Sequence, residues 1–160
     1  MKKKPVEEPK SDIKIIATNR KARRDYEVLQ TVEAGLSLLG SEVKSLRAGK
    51  ANLKDAYAIP RGNELFLLNM HISPYDKTGY SGHEPERMRK LLLHAREINK
   101  LISMVDEKGM TLIPLRLYFR DKYAKIELGV CRGKRAHDKR AAIIERDTKR
   151  DMEREMKRRQ

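Results

Sequence analysis

The chain has 160 residues, of which 37 are Lys or Arg and 23 are Asp or Glu, for a net charge of +14. That excess points to a polyanionic partner, either nucleic acid or an anionic membrane surface. No apolar run approaches the ~20 residues needed to span a bilayer, and the lysine-rich start lacks the ~7 to 15 apolar residues of a signal peptide, so a soluble, cytoplasmic protein is expected. Cys131 stands alone in the sequence, which excludes an intrachain disulfide and a cysteine metal cage; it reads as a packed strand residue.

Residues 1–12 hold Lys, Glu and Pro and almost nothing to bury, and are expected to be disordered. Residues 13–131 are expected to fold as one domain. Ile13, Ile15 and Ile16 begin a possible strand, and the basic run Asn19, Arg20, Lys21, Arg23 and Arg24 follows. The alternation from Tyr26 predicts a long strand running through Leu36 and Leu38, with Gly35 marking a bulge or tight bend. After Gly40 the spacing turns helical: Ser41 is a candidate N-cap, Glu42 suits the positive end of the helix dipole, and Val43 and Leu46 can be buried. Lys44, Arg47 and Lys50 recur at three-residue spacing and present a cationic face.

Asn52 to Ile59 reads as a strand, Pro60 to Asn63 as a turn, and Glu64 to Ile72 as its hairpin partner. A loop rich in Pro and Gly covers 73–85. Met88, Leu91, Leu92, Ala95, Ile98, Leu101, Ile102 and Val105 predict a helix from Glu86 to about Lys108, ended by Gly109. Thr111–Tyr118 and Tyr123–Cys131 read as a second hairpin turning at Arg120, Asp121 and Lys122. About six short antiparallel strands with two or three helices predict a mainly β fold, a small closed or nearly closed barrel of the oligonucleotide-binding type.

Residues 132–160 carry twelve Lys or Arg against six Asp or Glu and form a basic tail. Written as a helix, this segment aligns Arg146, Arg150, Arg154 and Arg158 in one row, and Glu145, Lys149, Glu153 and Lys157 in the next. It is expected to be disordered when free and helical in an anionic groove.

No catalytic constellation is apparent. The four histidines lie in separate contexts, with no paired metal-ligand spacing and no phosphate-binding glycine loop, so neither enzyme activity nor a cofactor is expected. Asn19, Arg20, Lys21, Arg23 and Arg24 combine a group for base edges or 2′-hydroxyls with phosphate partners, although a solvated surface run fits the same residues. Glu33 is an acid on a basic surface and can accept from a nucleobase amino or imino group; the alternative is a partner for Arg47 or Lys50. Lys122 and Lys125 would reach phosphate. Their neighbours Tyr118, Phe119 and Tyr123 fit a core or hairpin better than a stacking platform.

The runs NRKARRDY (19–26), GSEVKSLRAGKANLKDAY (40–57), RKLLLH (89–94), TLIPLRLY (111–118) and RGKRAHDKR (132–140) together resemble the bacterial SsrA-binding protein family, the small basic partner of transfer-messenger RNA (tmRNA) in rescue of stalled ribosomes. The resemblance implies a non-enzymatic adaptor with the same barrel. It also implies an RNA-binding surface that includes Asn19, Glu33, Leu92 and Lys125. The segment Arg132, Gly133, Lys134, Arg135, His137, Asp138, Lys139 and Arg140 would then approach the ribosomal decoding site, where His137 can stack on a base. Arg146, Arg150 and Arg154 would follow the messenger channel, and elongation factor Tu would join the delivery complex. Arg24, Cys131, His137 and the turn at Asp121 and Lys122 depart from common family patterns. Two rival classes remain open on residues alone: a structural ribosomal protein and an RNA-modifying enzyme.

Overall fold

The computed structural model describes residues 12–75, 82–134 and 136–158. It has a mixed α/β fold, an antiparallel sheet flanked by helices. In chain order the elements are β1 (Ile13–Thr18), α1 (Arg20–Asp25), β2 (Tyr26–Leu36), α2 (Gly40–Arg47), β3 (Ala51–Asn52), β4 (Tyr57–Arg61), β5 (Glu64–Leu68), β6 (His71–Ile72), β7 (Arg89–Leu92), α3 (Ala95–Lys108), β8 (Thr111–Arg120), β9 (Tyr123–Gly133) and α4 (Ala136–Arg158). Seven strands pair in the order β1-β8-β4-β5-β7-β2-β9, and β9 also pairs with β8; β3 and β6 form a separate ladder. The expected disordered segment, 1–12, lies outside the described residues except for Asp12.

Alternation along β5, β8 and β9 drives one main core. Leu65, Leu67, Leu91, Leu112, Leu117, Ile126 and Leu128 are fully buried there, with Leu46 of α2 and Leu101 of α3. Each removes apolar surface worth roughly 1.5–3 kcal/mol from water. A smaller cluster, Ala22, Ile113, Leu115 and Cys131, lies under α1. β8 can serve both clusters because a bulge at Leu115 shifts its register against β9. Pro114 sits beside that bulge, where a strand tolerates a missing donor.

Several expectations are corrected. Residues 86–108 are not one helix: Arg89–Leu92 is a strand paired with β5 and β2, and α3 starts at Ala95, where Glu97 accepts the His94 N–H at 3.2 Å. The spacing of Met88, Leu91 and Leu92 suits a helix, but Arg89 and Leu91 pointing inward and Lys90 and Leu92 outward is period two. Asn52–Ile59 is broken by a turn, with Asp55 at φ 61°, and the partner strand breaks at Asn69, φ 60°. The turn between them is narrower than expected, at Gly62 and Asn63, since Pro60 and Arg61 belong to β4. β2 ends at Leu36, and its bulge lies at Leu29 rather than Gly35. Gly35 instead allows close approach: a Cβ there would stand 3.2 Å from Leu92 Cβ. Ser41 does not cap α2. Leu39 is the N-cap, and Glu42 accepts its N–H at 2.8 Å.

Candidate nucleic-acid interface

Three cationic or mixed surfaces emerge from these elements. The first is α1, a six-residue helix too short to persist alone. Asn19 holds it in place. Its side-chain oxygen accepts the Ala22 N–H at 3.1 Å, and its Nδ2 donates to the carbonyls of Pro114, at 3.0 Å, and Leu53, at 3.3 Å. The residue is buried, and its amide is committed to protein partners. Arg20, Lys21, Arg23 and Arg24 are therefore presented outward from a fixed helix. Lys21 meets Asp55 at 2.9 Å, beside a depression of about 250 Å³ shared with Tyr26 and Tyr57. This ion pair is exposed on both sides and holds the Asp55 carboxyl below its usual range.

The second surface is the exposed side of α2 and its exit, where Lys44, Arg47 and Lys50 all face solvent. Lys44 Nζ lies 5.5 Å from the Tyr75 ring centroid, within cation–π range.

The third is an open cleft of about 830 Å³ between β2, the end of β7 and α3, lined by Glu33, Gly35, Leu92, His94, Lys100 and Lys125. Leu92 is 49 % exposed, large and apolar at the mouth of a charged site. Beside it, Glu33 accepts the Tyr118 hydroxyl and pairs with the Arg120 guanidinium at 3.0 Å. Arg47 and Lys50, the partners weighed for it from the sequence, are not the ones seen. Burial, followed by the hydrogen bond to Glu33, pushes the Tyr118 hydroxyl up to about 12. Arg116 and Arg120 each lie 6.0 Å from the Tyr118 ring centroid. Arg116, Arg120, His94 and Lys100 are not marked out as site residues by any motif in the sequence. Arg116 and Arg120 stand at alternate strand positions, Lys100 on the solvent row of α3 and His94 at its N-cap, and nothing local distinguishes such residues from ordinary polar surface.

Glu33, Leu92 and Lys125, separated in sequence, are thus brought together, whereas Asn19–Arg24 and the α2 cations occupy other surfaces. Lys122 is exposed at the β8–β9 turn. Arg132 pairs with Glu27 at 2.9 Å, and Gly133 still belongs to β9. Lys134 closes on α1, its N–H donating to Asp25 O at 3.0 Å and its ammonium to Arg23 O at 3.4 Å. Arg135 lies outside the described residues, as do the side chains of His137, Asp138 and Lys139. Arg140, Arg146, Arg150 and Arg154 are exposed along α4. There Asp151 and Arg154 approach to 3.8 Å, an i,i+3 ion pair between two exposed side chains.

Among the described residues no cluster of three or more His, Cys, Asp or Glu side chains could hold a metal ion, and no helix is long and apolar enough to cross a membrane. The model of the SmpB protein family matches residues 16–158. The chain belongs to the SmpB family. An SsrA-binding protein of Gloeothece citriformis is 55% identical over 146 residues, covering 91% of this chain and 94% of its own. One from Chloroflexus aggregans is 53% identical over 148 residues, covering 92% and 94%. A chain from a solved structure described as "tmRNA-SmpB: a journey to the center of the bacterial ribosome" matches with a TM-score of 0.64 and 50% identity, over 75% of this chain and 85% of that one. SmpB proteins are non-enzymatic RNA-binding adaptors of trans-translation, and membership gives this chain the same role.

Proposed function

We propose that this chain grips the transfer-RNA-like part of tmRNA through the Glu33 cleft and the cations of α1 and α2, and delivers it to stalled ribosomes, acting in the cytoplasm. The observation that carries this reading is the convergence of two carboxylates, Glu33 and Glu97, an exposed leucine and two lysines around one open cleft. Lys100, Lys125 and the α1 and α2 cations supply phosphate contacts and hence salt-dependent affinity. Glu33 supplies an acceptor for a base donor, and Leu92 an apolar surface for a base face. Asn19 contributes by fixing α1 rather than by touching RNA. An oligonucleotide-binding-type barrel is favoured by the strand pairings, which lead from β8 through β4, β5, β7 and β2 to β9 and back to β8. The β4–β8 step rests on the single pair Ala58–Leu112.

The domain runs to Lys134 in this reading, three residues beyond Cys131, because β9 and its bonds to α1 extend that far. Beyond it, the 23 residues of α4 span about 34 Å at 1.5 Å per residue. A cationic rod of that length suits an empty messenger channel, and a channel already holding messenger would exclude it. His137 and the basic residues from Arg132 to Arg140 would lie at the decoding site, with Arg146, Arg150 and Arg154 along the channel. Elongation factor Tu joins the complex that carries the alanine-charged RNA.

The test is titration of tmRNA against an ordinary transfer RNA at near-physiological salt, using the full chain, Glu33→Ala and a chain ending at Lys134. Selective binding that survives truncation and weakens in Glu33→Ala is expected, with peptide tagging lost on truncation. Equal binding of both RNAs, or affinity that disappears with the tail, would replace this reading with that of a general basic RNA binder.

A further inference from the structure

Glu33 does not sit in its cleft as a freely rotating carboxylate. The hydrogen bond from the Tyr118 hydroxyl and the ion pair with an Arg120 terminal nitrogen meet the same oxygen, Oε2. Among the described residues no donor meets Oε1, and the side chain is 32 % exposed. One oxygen is held by the protein while the other remains available to the cleft.

The sheet explains why the clamp is needed. Glu33 on β2 lies directly opposite Glu127 on β9, and like charges so placed repel. Glu127 in turn faces Arg116 on β8 and is paired with it. Arg120, on the same strand, takes Glu33. Each carboxylate therefore has its own guanidinium, and the two guanidiniums lie near the ring of Tyr118, which is 6 % exposed. A hydroxyl on a buried ring has little freedom to donate elsewhere, so Oε2 is fixed in direction. The base-reading oxygen Oε1 is then aimed by two residues that do not line the cleft.

We propose that Tyr118 and Arg120 are positioning residues that orient Glu33 so that Oε1 accepts one N–H of an unpaired RNA base, making them determinants of RNA selectivity. The proposal rests on the reading of Glu33 as the base acceptor. It differs from a merely structural strand-linking role in one measurable respect: the contribution of Tyr118 to RNA affinity must pass through Glu33.

The experiment is a double-mutant cycle on tmRNA affinity with the full chain: wild type, Tyr118→Phe, Glu33→Ala and the double variant, with an ordinary transfer RNA titrated in parallel. Tyr118→Phe keeps the ring and removes the hydroxyl. It should weaken tmRNA binding roughly three- to tenfold, the scale of one hydrogen bond, and narrow the preference over transfer RNA. In the Glu33→Ala background it should cost nothing further. Arg120→Gln should behave likewise and serves as the second arm if Tyr118→Phe lowers thermal stability. Losses that multiply across the cycle, or a positioning variant that binds like wild type while Glu33→Ala is weak, would overturn the positioning role. Wild-type affinity of Glu33→Ala itself would overturn the underlying reading of Glu33, and the proposal with it.

Discussion

Arg89→Met should be among the most destabilising single substitutions in this protein. Arg89 and Glu42 side chains are both 0 % exposed. The guanidinium donates from Nε to Glu42 Oε1 at 2.8 Å and from its terminal nitrogens to Met70 O at 2.6 Å and Pro85 O at 3.1 Å. One side chain thereby ties α2, β5–β6 and β7 together. Methionine fills similar volume but takes the guanidinium donor from the Met70 carbonyl and from Glu42 its buried counter-charge, while Pro85 O keeps the Ile72 N–H at 2.9 Å. Removing one partner of a buried pair costs ~3–5 kcal/mol. The lower half of that range applies here, because Arg87, at 2.9 Å, and the Leu39 N–H still meet the carboxylate. Against a total stability of ~5–15 kcal/mol, that is a fall in Tm of roughly 10–20 °C, at about 3–5 °C per kcal/mol for a domain of this size. Circular dichroism melts and urea titrations of the full chain would measure it. Lys90→Met supplies the control: the adjacent Lys90–Glu64 pair is short, 2.6 Å, but 43 % and 47 % exposed, and its loss should cost under ~1 kcal/mol. Similar losses for the two variants would refute the reasoning, since burial would then have decided nothing.

The same cluster predicts a pH dependence. Burial pushes the Glu42 carboxyl up, but hydrogen bonds from Arg87, the Leu39 N–H and Arg89 outweigh it and hold the group below its ordinary value of 4.5. A folded-state depression contributes stability that is fully present above the unfolded value and is lost as pH falls through the folded one. Wild-type stability should therefore decline as pH drops below about 4.5, whereas Glu42→Gln should start lower at neutral pH and show a shallower acid slope in urea titrations; parallel slopes would exclude Glu42 as the source. Cys131 is fully buried, and burial pushes its thiol up to about 11. At pH 8 its thiolate fraction is then ~0.1%, so a disulfide reagent should leave it untouched in the native protein and label it stoichiometrically in denaturant. Gly129→Ala should cost ~1–3 kcal/mol through overpacking, because the new Cβ would stand 3.0 Å from Leu115 Cδ1 and 3.1 Å from Cys131 Sγ. A urea midpoint at or above wild type would show that Leu115 can move aside.

The hairpin from Thr111 to Gly133 was legible because its alternation and its turn lie next to each other in the chain, and the same holds for the N-terminal strand and the helical spacing of α2. The candidate site was legible in part. Glu33 and Lys125 could be named from residue chemistry and Leu92 from the family resemblance, but not the Tyr118 hydroxyl that holds Glu33 from 85 residues away. The misreading of 86–94 shows why such contacts are hidden. Read as a helix, Arg89 falls on a solvent row and needs no partner. Read as a strand between β5 and β2, it alternates inward with Leu91, and a buried guanidinium then demands a carboxylate. Glu42 has a sufficient local role at the start of α2, where it accepts the Leu39 N–H. A residue that meets its neighbourhood's requirement leaves no sign that it also meets a distant one. The wrong helix boundary and the missed buried pair are therefore a single error. Only the strand pairing of Leu91 with Leu65 and Leu36, which no local period specifies, could have corrected it.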